Sequence, residues 1–180
     1  KELVAVSLTH PLGDLDHALD AALYAVNLDP GLSKTQTLLG FAHLLQIDIQ
    51  TAKDNFYQAI ALDQADPMPR LGLGLALILE GNLEDGPIEM EIAASLDPGN
   101  SLIRSYLGKA YFEEKRYSLS STQFELAKER DPKDPTPWFY DAIQKQTQNR
   151  PIEALQDIQK SIELNDNRAV YRSKFLLDRD

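Results

Sequence analysis

The 180-residue chain has no cysteine. This excludes disulfides, thiolate nucleophiles, iron–sulfur clusters and any zinc site that depends on sulfur, and it leaves the redox compartment open. Histidine is scarce as well. His10, His17 and His43 are the only three, and none lies in an H-E-x-x-H arrangement, so a metal would need carboxylates to converge around them. Basic residues are in deficit, 18 Lys and Arg against 28 Asp and Glu, for a formal net charge of -10. Such a balance argues against a general nucleic-acid or anionic-membrane surface. No stretch of roughly 18 uncharged apolar residues is present, so no segment is expected to span a bilayer. An N-terminal Met and a signal-peptide pattern are also missing, and the chain reads as a piece of a longer protein. Against these absences stands a hydrophobic share of 43%, enough for a real core.

What the chain does have is a period of 34 residues. Gly40, Gly74 and Gly108 fall in one column, continued by Ala142. Ala18, Ala52, Gly86, Ser120 and Ala154 form a second column, and Ala25, Ala59, Ala93, Ala127 and Ser161 a third. A bulky column runs through Phe56, Met90, Phe124 and Ile158. The units end alike, as Leu28-Asp29-Pro30, Leu62-Asp63-Gln64, Leu96-Asp97-Pro98, Arg130-Asp131-Pro132 and Leu164-Asn165-Asp166. Self-similarity at this period is the signature of stacked supersecondary units, none of which can cover its own apolar face.

Within a unit the apolar residues recur at helical spacing, as in Leu38, Leu39, Ala42, Leu45 and then Ala52, Phe56, Ala59, Ile60. Each unit therefore reads as two helices. Pro67, Pro135 and Pro151 suit a first helical turn, where no amide donor is needed. Small residues belong where two antiparallel helices about 8–10 Å apart approach most closely. No run alternates at period two, so strands are not expected.

This pattern resembles the tetratricopeptide repeat. The unit Ser101–Asp134 carries most of it, with Leu107-Gly108, Tyr111, Phe124, Ala127 and Pro132, while the next unit supplies Trp138 but has Asp141-Ala142 in place of Leu-Gly. The resemblance implies an all-α, right-handed α-α superhelical solenoid. It is expected as one domain over 1–180, with units at about 1–32, 33–66, 67–100, 101–134 and 135–168 and an unpaired or capping helix at about 169–177.

Other motifs dissolve into the repeat. Gly72 and Gly74 lack the preceding strand and third glycine of a dinucleotide loop, and Gly108-Lys109 is followed by Ala110 where a phosphate loop needs Ser or Thr. No Gly-x-Ser-x-Gly elbow occurs. The paired carboxylates Glu84-Asp85, Glu89/Glu91 and Glu113-Glu114 read as solvated helix faces, and a carbohydrate-active carboxylate pair is the least favoured reading. No catalytic residue, metal ligand or cofactor is assigned. The expected role is a protein-interaction scaffold.

The resemblance further implies that the first helices line a concave groove. The residues expected there are Thr37, Phe41, Leu44, Leu75, Ile78, Ser105, Tyr106, Lys109, Phe112, Phe139 and Tyr140, with Leu71, Ile143 and Gln146 in the same columns. About half of each column is expected to pack into the core. Relatives that grip chaperone tails use Lys, Asn and Arg there. Thr37, Phe41, Gly72, Leu102 and Tyr106 offer no such clamp, so a hydrophobic or amphipathic protein segment is expected instead. Charge is uneven: the unit 67–100 has Arg70 alone against Glu80, Glu84, Asp85, Glu89, Glu91 and Asp97. An alternative is a self-associating assembly module acting through 169–177. That segment, from Asn165 to Asp178, and the stretch Asp134–Ile143 resemble parts of large bacterial envelope proteins, which would imply a periplasmic or outer-membrane-associated setting.

Overall fold

In the computed structural model the described residues are Asp20, Leu23, Tyr24, Asp29 and 31–177, with side chains described as far as Asn165. The expected first unit, with His10 and His17, lies almost wholly outside them. Among the described residues every regular element is a helix. The chain divides after Asp97 into two compact units. The first holds α1 (Ser33–Leu45), α2 (Ile49–Leu62), α3 (Pro67–Glu80) and α4 (Asp85–Leu96). The second holds α5 (Ser101–Glu113), α6 (Tyr117–Arg130), α7 (Pro135–Thr147) and α8 (Pro151–Leu177).

The helix ends obey the same 34-residue spacing as the core. Asp66, Asn100 and Asp134 sit at the N-caps of α3, α5 and α7, where their side chains accept the amides of Met68, Ile103 and Thr136. The turn inside each hairpin repeats as well. Ile47, Gly81, Lys115 and Asn149 all have positive φ, at 63°, 94°, 61° and 59°. The amide of the following residue then donates to a carbonyl five residues back, as from Asp48 to His43 and from Arg150 to Lys145. This left-handed closure satisfies carbonyls that the helix end leaves orphaned.

The first unit's core is built around Phe56, which is fully buried. A Cβ on Gly40 would lie 2.6 Å from its ring and one on Gly72 2.3 Å, so the ring is seated between glycines of two different helices, α1 and α3. Phe41 meets it edge-on at 5.1 Å, and Ala52, Leu73, Ala76 and Leu77 close the cluster. Gly72, set aside in the sequence as a failed nucleotide loop, is thus a packing residue. The second unit repeats half of this arrangement, with Phe124 fully buried against Gly108. Two departures from alanine in the small column have their own uses. Ser120 donates to the carbonyl of Gly108 at 2.7 Å, and Gly86 allows its backbone to approach Gly74.

One expectation is corrected. No separate helix begins near residue 169, because α8 runs unbroken from Pro151 to Leu177, about 40 Å at the helical rise. The earlier second helices end at Leu62, Leu96 and Arg130, before Gln64, Pro98 and Pro132, with Pro67 and Pro135 opening the helices that follow. Past Asn165 the chain has neither proline nor glycine to break the helix.

The shared turn geometry fits its residues unequally. Left-handed backbone costs an L-residue about 1–2 kcal/mol, and a β-branched one suits it least. Ile47 is 76% exposed, so replacing it removes no packing. Ile47→Gly should raise stability by about 0.5–1 kcal/mol after the larger unfolded-state entropy of glycine is counted. Chemical denaturation followed by circular dichroism checks this, and a loss of stability would contradict the strain assigned to the turn.

Candidate functional site

The expected groove residues divide sharply by burial. In the first unit Thr37 and Phe41 are buried, and the Thr37 hydroxyl donates to the carbonyl of Ser33 at 2.8 Å. Leu44 and Leu75 pack against the Phe56 cluster, and Ile78 is half-buried. In the second unit Ser105 is fully buried and donates to the carbonyl of Ser101 at 2.7 Å. Thr37, Phe41 and Ser105 therefore present no surface to a partner, and their place in the groove is corrected. The reason is local: a hydroxyl satisfied by its own helix four residues back is as easily buried as an alanine.

What stays accessible gathers on α5 and α7. Tyr106, Lys109, Phe112 and Tyr140 are half-buried, and Phe139 is 45% exposed. The Tyr140 ring lies 5.4 Å from Phe139 and 5.8 Å from Tyr106. Burial raises the phenol of Tyr106 above its ordinary range, although its hydrogen bond with Tyr140 works the other way. Burial raises Tyr140 further, reinforced by Tyr106 and Glu113. Both phenols thus stay protonated at neutral pH. Lys109 pairs with Glu113 one turn along at 2.6 Å, so the patch offers aromatic surface with a charged edge.

Beside this patch lies a cluster that the sequence did not announce. Lys128 of α6 contacts Asp141 of α7 at 2.5 Å and Asp157 of α8 at 3.2 Å, while Lys145 contacts the same two carboxylates at 3.0 and 2.6 Å. All four side chains are largely buried. The counterparts of three of them in other repeats are apolar or neutral, such as Leu107 for Asp141, Tyr111 for Lys145 and Ile60 for Lys128, while Asp157 shares its column with Gln123 and Glu89. The origin of the exchange is visible one column away. Arg70 pairs with Glu89 at 2.7 Å and Arg104 reaches Gln123 at 2.9 Å, but the third residue of that column is Trp138. Trp138 cannot neutralise Asp157. The two lysines do so instead, and the Lys128 ammonium also lies 4.3 Å from the centre of the indole ring. The Asp141-Ala142 departure from the repeat is therefore one corner of an ion-pair square.

The square also bears on acid–base chemistry. Burial alone would push Asp141 up, but the hydrogen bonds and charges of Lys128 and Lys145 outweigh it and hold its carboxyl below the ordinary range. A general acid needs the opposite shift. Glu89, Glu113 and Glu114, from the pairs noted in the sequence, are engaged by Arg70, Lys109 and Arg116. His43 is half-buried, its Nδ1 3.5 Å from Asp48. Among the described residues no three histidines or carboxylates gather as metal ligands, and no helix is long and apolar enough to cross a membrane. The self-association expected of 169–177 concerns side chains outside the described residues.

Solved structures share this arrangement of helix pairs. TTC0263, a thermophilic TPR protein of Thermus thermophilus, superposes with a TM-score of 0.79 at 19% identity, over 97% of each chain. The fold is that of a tetratricopeptide repeat protein. YrrB, a TPR protein with an unusual peptide-binding site, matches with a TM-score of 0.59 at 19% identity, covering 91% of this chain and 85% of its own. The Cut9–Hcn1 hetero-tetramer of the APC/C gives 0.74 at 17%, with 86% of this chain matched to 29% of that one. No family model matches the chain, and no curated protein does so significantly. At these identities the tetratricopeptide likeness is one of architecture.

The square can be tested by removing one corner or replacing all four. Removing one member leaves a buried charge without its partner, so Asp157→Ala should cost about 3–5 kcal/mol. The fourfold change Lys128→Ile, Asp141→Leu, Lys145→Tyr and Asp157→Gln, which installs the chain's own residues from other repeats, should be neutral or stabilising by about 1–4 kcal/mol. Urea denaturation compares the two, and equal losses would show that the square is not acting as an ion-pair unit.

The pH profile has a definite sign. Asp141 is depressed, so its contribution is present above about pH 3.9 and lost as pH falls through its folded value. Lys145 is opposed by burial but raised overall by Asp157 and Asp141. Its contribution is present below about pH 10.4 and lost as pH rises through its folded value. The stability difference between the parent and the fourfold variant should therefore be flat from about pH 5 to 9 and shift against the parent beyond both ends. A step near neutral pH would contradict this origin.

Proposed function

We propose that the chain is a non-catalytic scaffold that holds an apolar or aromatic segment of another protein against α5 and α7. The observation that carries this reading is the half-exposed ring cluster of Tyr106, Phe139 and Tyr140 beside Lys109 and Phe112. Rigid aromatic rings supply contact area at small entropic cost, and clusters of this kind supply the anchors of protein interfaces. The tetratricopeptide fold supports the general role, and the peptide-binding site of YrrB is an instance of a peptide held on a similar architecture. The missing basic clamp favours side-chain contacts over capture of a terminal carboxylate. Lys109, already paired with Glu113, sets one polar edge of the site.

Selection of a displayed library of peptides about 12 residues long against the full chain tests the proposal, since about three helical turns suffice to span the cluster. Enriched peptides should be rich in aromatic and aliphatic residues. Phe139→Glu should weaken them at least tenfold, about 1.4 kcal/mol, with the helical circular dichroism unchanged. Peptides that bind Phe139→Glu and the parent equally would overturn the site.

A further inference from the structure

In the first unit the seat of α3 is a glycine. A Cβ on Gly72 would lie 2.3 Å from the Phe56 ring, so α3 meets α2 with its backbone against that ring. Two repeats on, the equivalent pair on α7 and α6 is Tyr140 and Phe124. A tyrosine cannot occupy a place that has no room for a methyl group, so α7 cannot be seated on α6 as α3 is on α2. The Tyr140 ring stands instead beside Tyr106 and Phe139, at 5.8 and 5.4 Å.

What meets α6 in place of the glycine is polar. Lys128 of α6 reaches Asp141 of α7 at 2.5 Å and lies 4.3 Å from the centre of the Trp138 ring. Gln144, fully buried, donates to the carbonyl of Tyr117 at 3.3 Å and to the hydroxyl of Ser121 at 2.5 Å. The same Lys128 contacts Asp157 of α8, and Lys145 ties Asp157 back to α7. One ammonium of α6 thus holds both helices of the hairpin that follows. Apolar packing tolerates a slide or rotation that keeps the same area covered. A largely buried ion pair does not, since a helix shifted by one turn, about 5.4 Å, would leave its charges buried and unpaired. The square therefore discriminates between seats more strongly than its net contribution to stability would indicate.

We infer that the ion-pair square is the seat of α7: it fixes the α7–α8 hairpin on α6 where the glycine seat is missing, and so holds Tyr140 out in the ring cluster. Lys128 and Asp141 are then positioning residues for that cluster. Both are largely buried and offer a partner little surface, yet the placing of Tyr140 against Tyr106 depends on them. The consequence for partner capture rests on the ring-cluster reading proposed above, whereas the seat itself does not.

The chain's one tryptophan, Trp138, sits at this seat with its ring N–H buried. Its indole signal in the nitrogen–proton NMR spectrum of the full chain is therefore a single reporter of how α7 is docked. The parent should give one sharp signal. The fourfold variant Lys128→Ile, Asp141→Leu, Lys145→Tyr and Asp157→Gln should remain folded in urea titrations yet give more than one indole signal. Amide hydrogen exchange in its α7 should be at least tenfold faster, and it should bind the enriched library peptides at least tenfold more weakly. A square that merely added stability would move none of these three. Should the fourfold variant fail to fold, the pair Lys128→Ile and Asp141→Leu, which leaves Lys145 bonded to Asp157 at 2.6 Å, carries the same readouts. One sharp indole signal with parent-like exchange in α7 of the folded variant overturns the inference. If no peptide is enriched against the parent, the ring-cluster reading fails alone, and the indole signal still decides the seat.

Discussion

The structure depends on one steric constraint, that the large buried side chains Phe56, Met90 and Phe124 on successive second helices each need a neighbour with no side chain at all. Phe56 shows the constraint in full. Its ring fills the space that a Cβ on Gly40 or Gly72 would require, so a single residue fixes the separation within its own hairpin and the seat of the next helix. Burying a phenylalanine contributes about 1.5–3 kcal/mol, but its positional effect is larger than that figure suggests. Once α1, α2 and α3 are locked about the ring, the side chains left outside are determined by register.

Register also explains which parts of the molecule are legible in the sequence. The glycine and alanine columns, the helix pairs and the unit boundaries can be read because close packing restricts residue size. The left-handed turns at Ile47, Lys115 and Asn149 cannot, since only Gly81 among the four advertises its backbone. Burial of Thr37 and Ser105 is equally hidden: hydroxyls look like surface until the carbonyl four residues back takes their proton. The end of the last helix escapes the pattern because the period, carried past Asn165, meets none of the residues that stop the earlier helices.

The ion-pair square is a case where the repeat's logic holds and its residues change. A polar pair links the first and second helices at Arg70–Glu89 and again at Arg104–Gln123. When Trp138 takes the next place in the arginine column, the carboxylate opposite must find its charge elsewhere. Lys128 and Lys145 supply it from two other helices, and Asp141 balances the pair. Apart from Asp141 and Lys145, one helical turn apart, nothing in the local sequence links these residues, as their other contacts span up to 29 positions. In the sequence Asp141 stands out only as an exception to a pattern.

The same substitutions change what the last hairpin can offer. A tandem array carries its apolar face forward, each hairpin leaving to its successor the surface it cannot cover itself. At Phe139 the residues of the earlier repeats are Thr37, Leu71 and Ser105, all buried, whereas Phe139 is exposed. Placing the largest side chain of its column where exposure is greatest would be an aggregation hazard on an idle surface. Polar Gln146 and the hydrogen-bonded phenols of Tyr106 and Tyr140 limit that hazard by bounding the patch. Size, exposure and polar bounding thus set Phe139 apart from the buried members of its column.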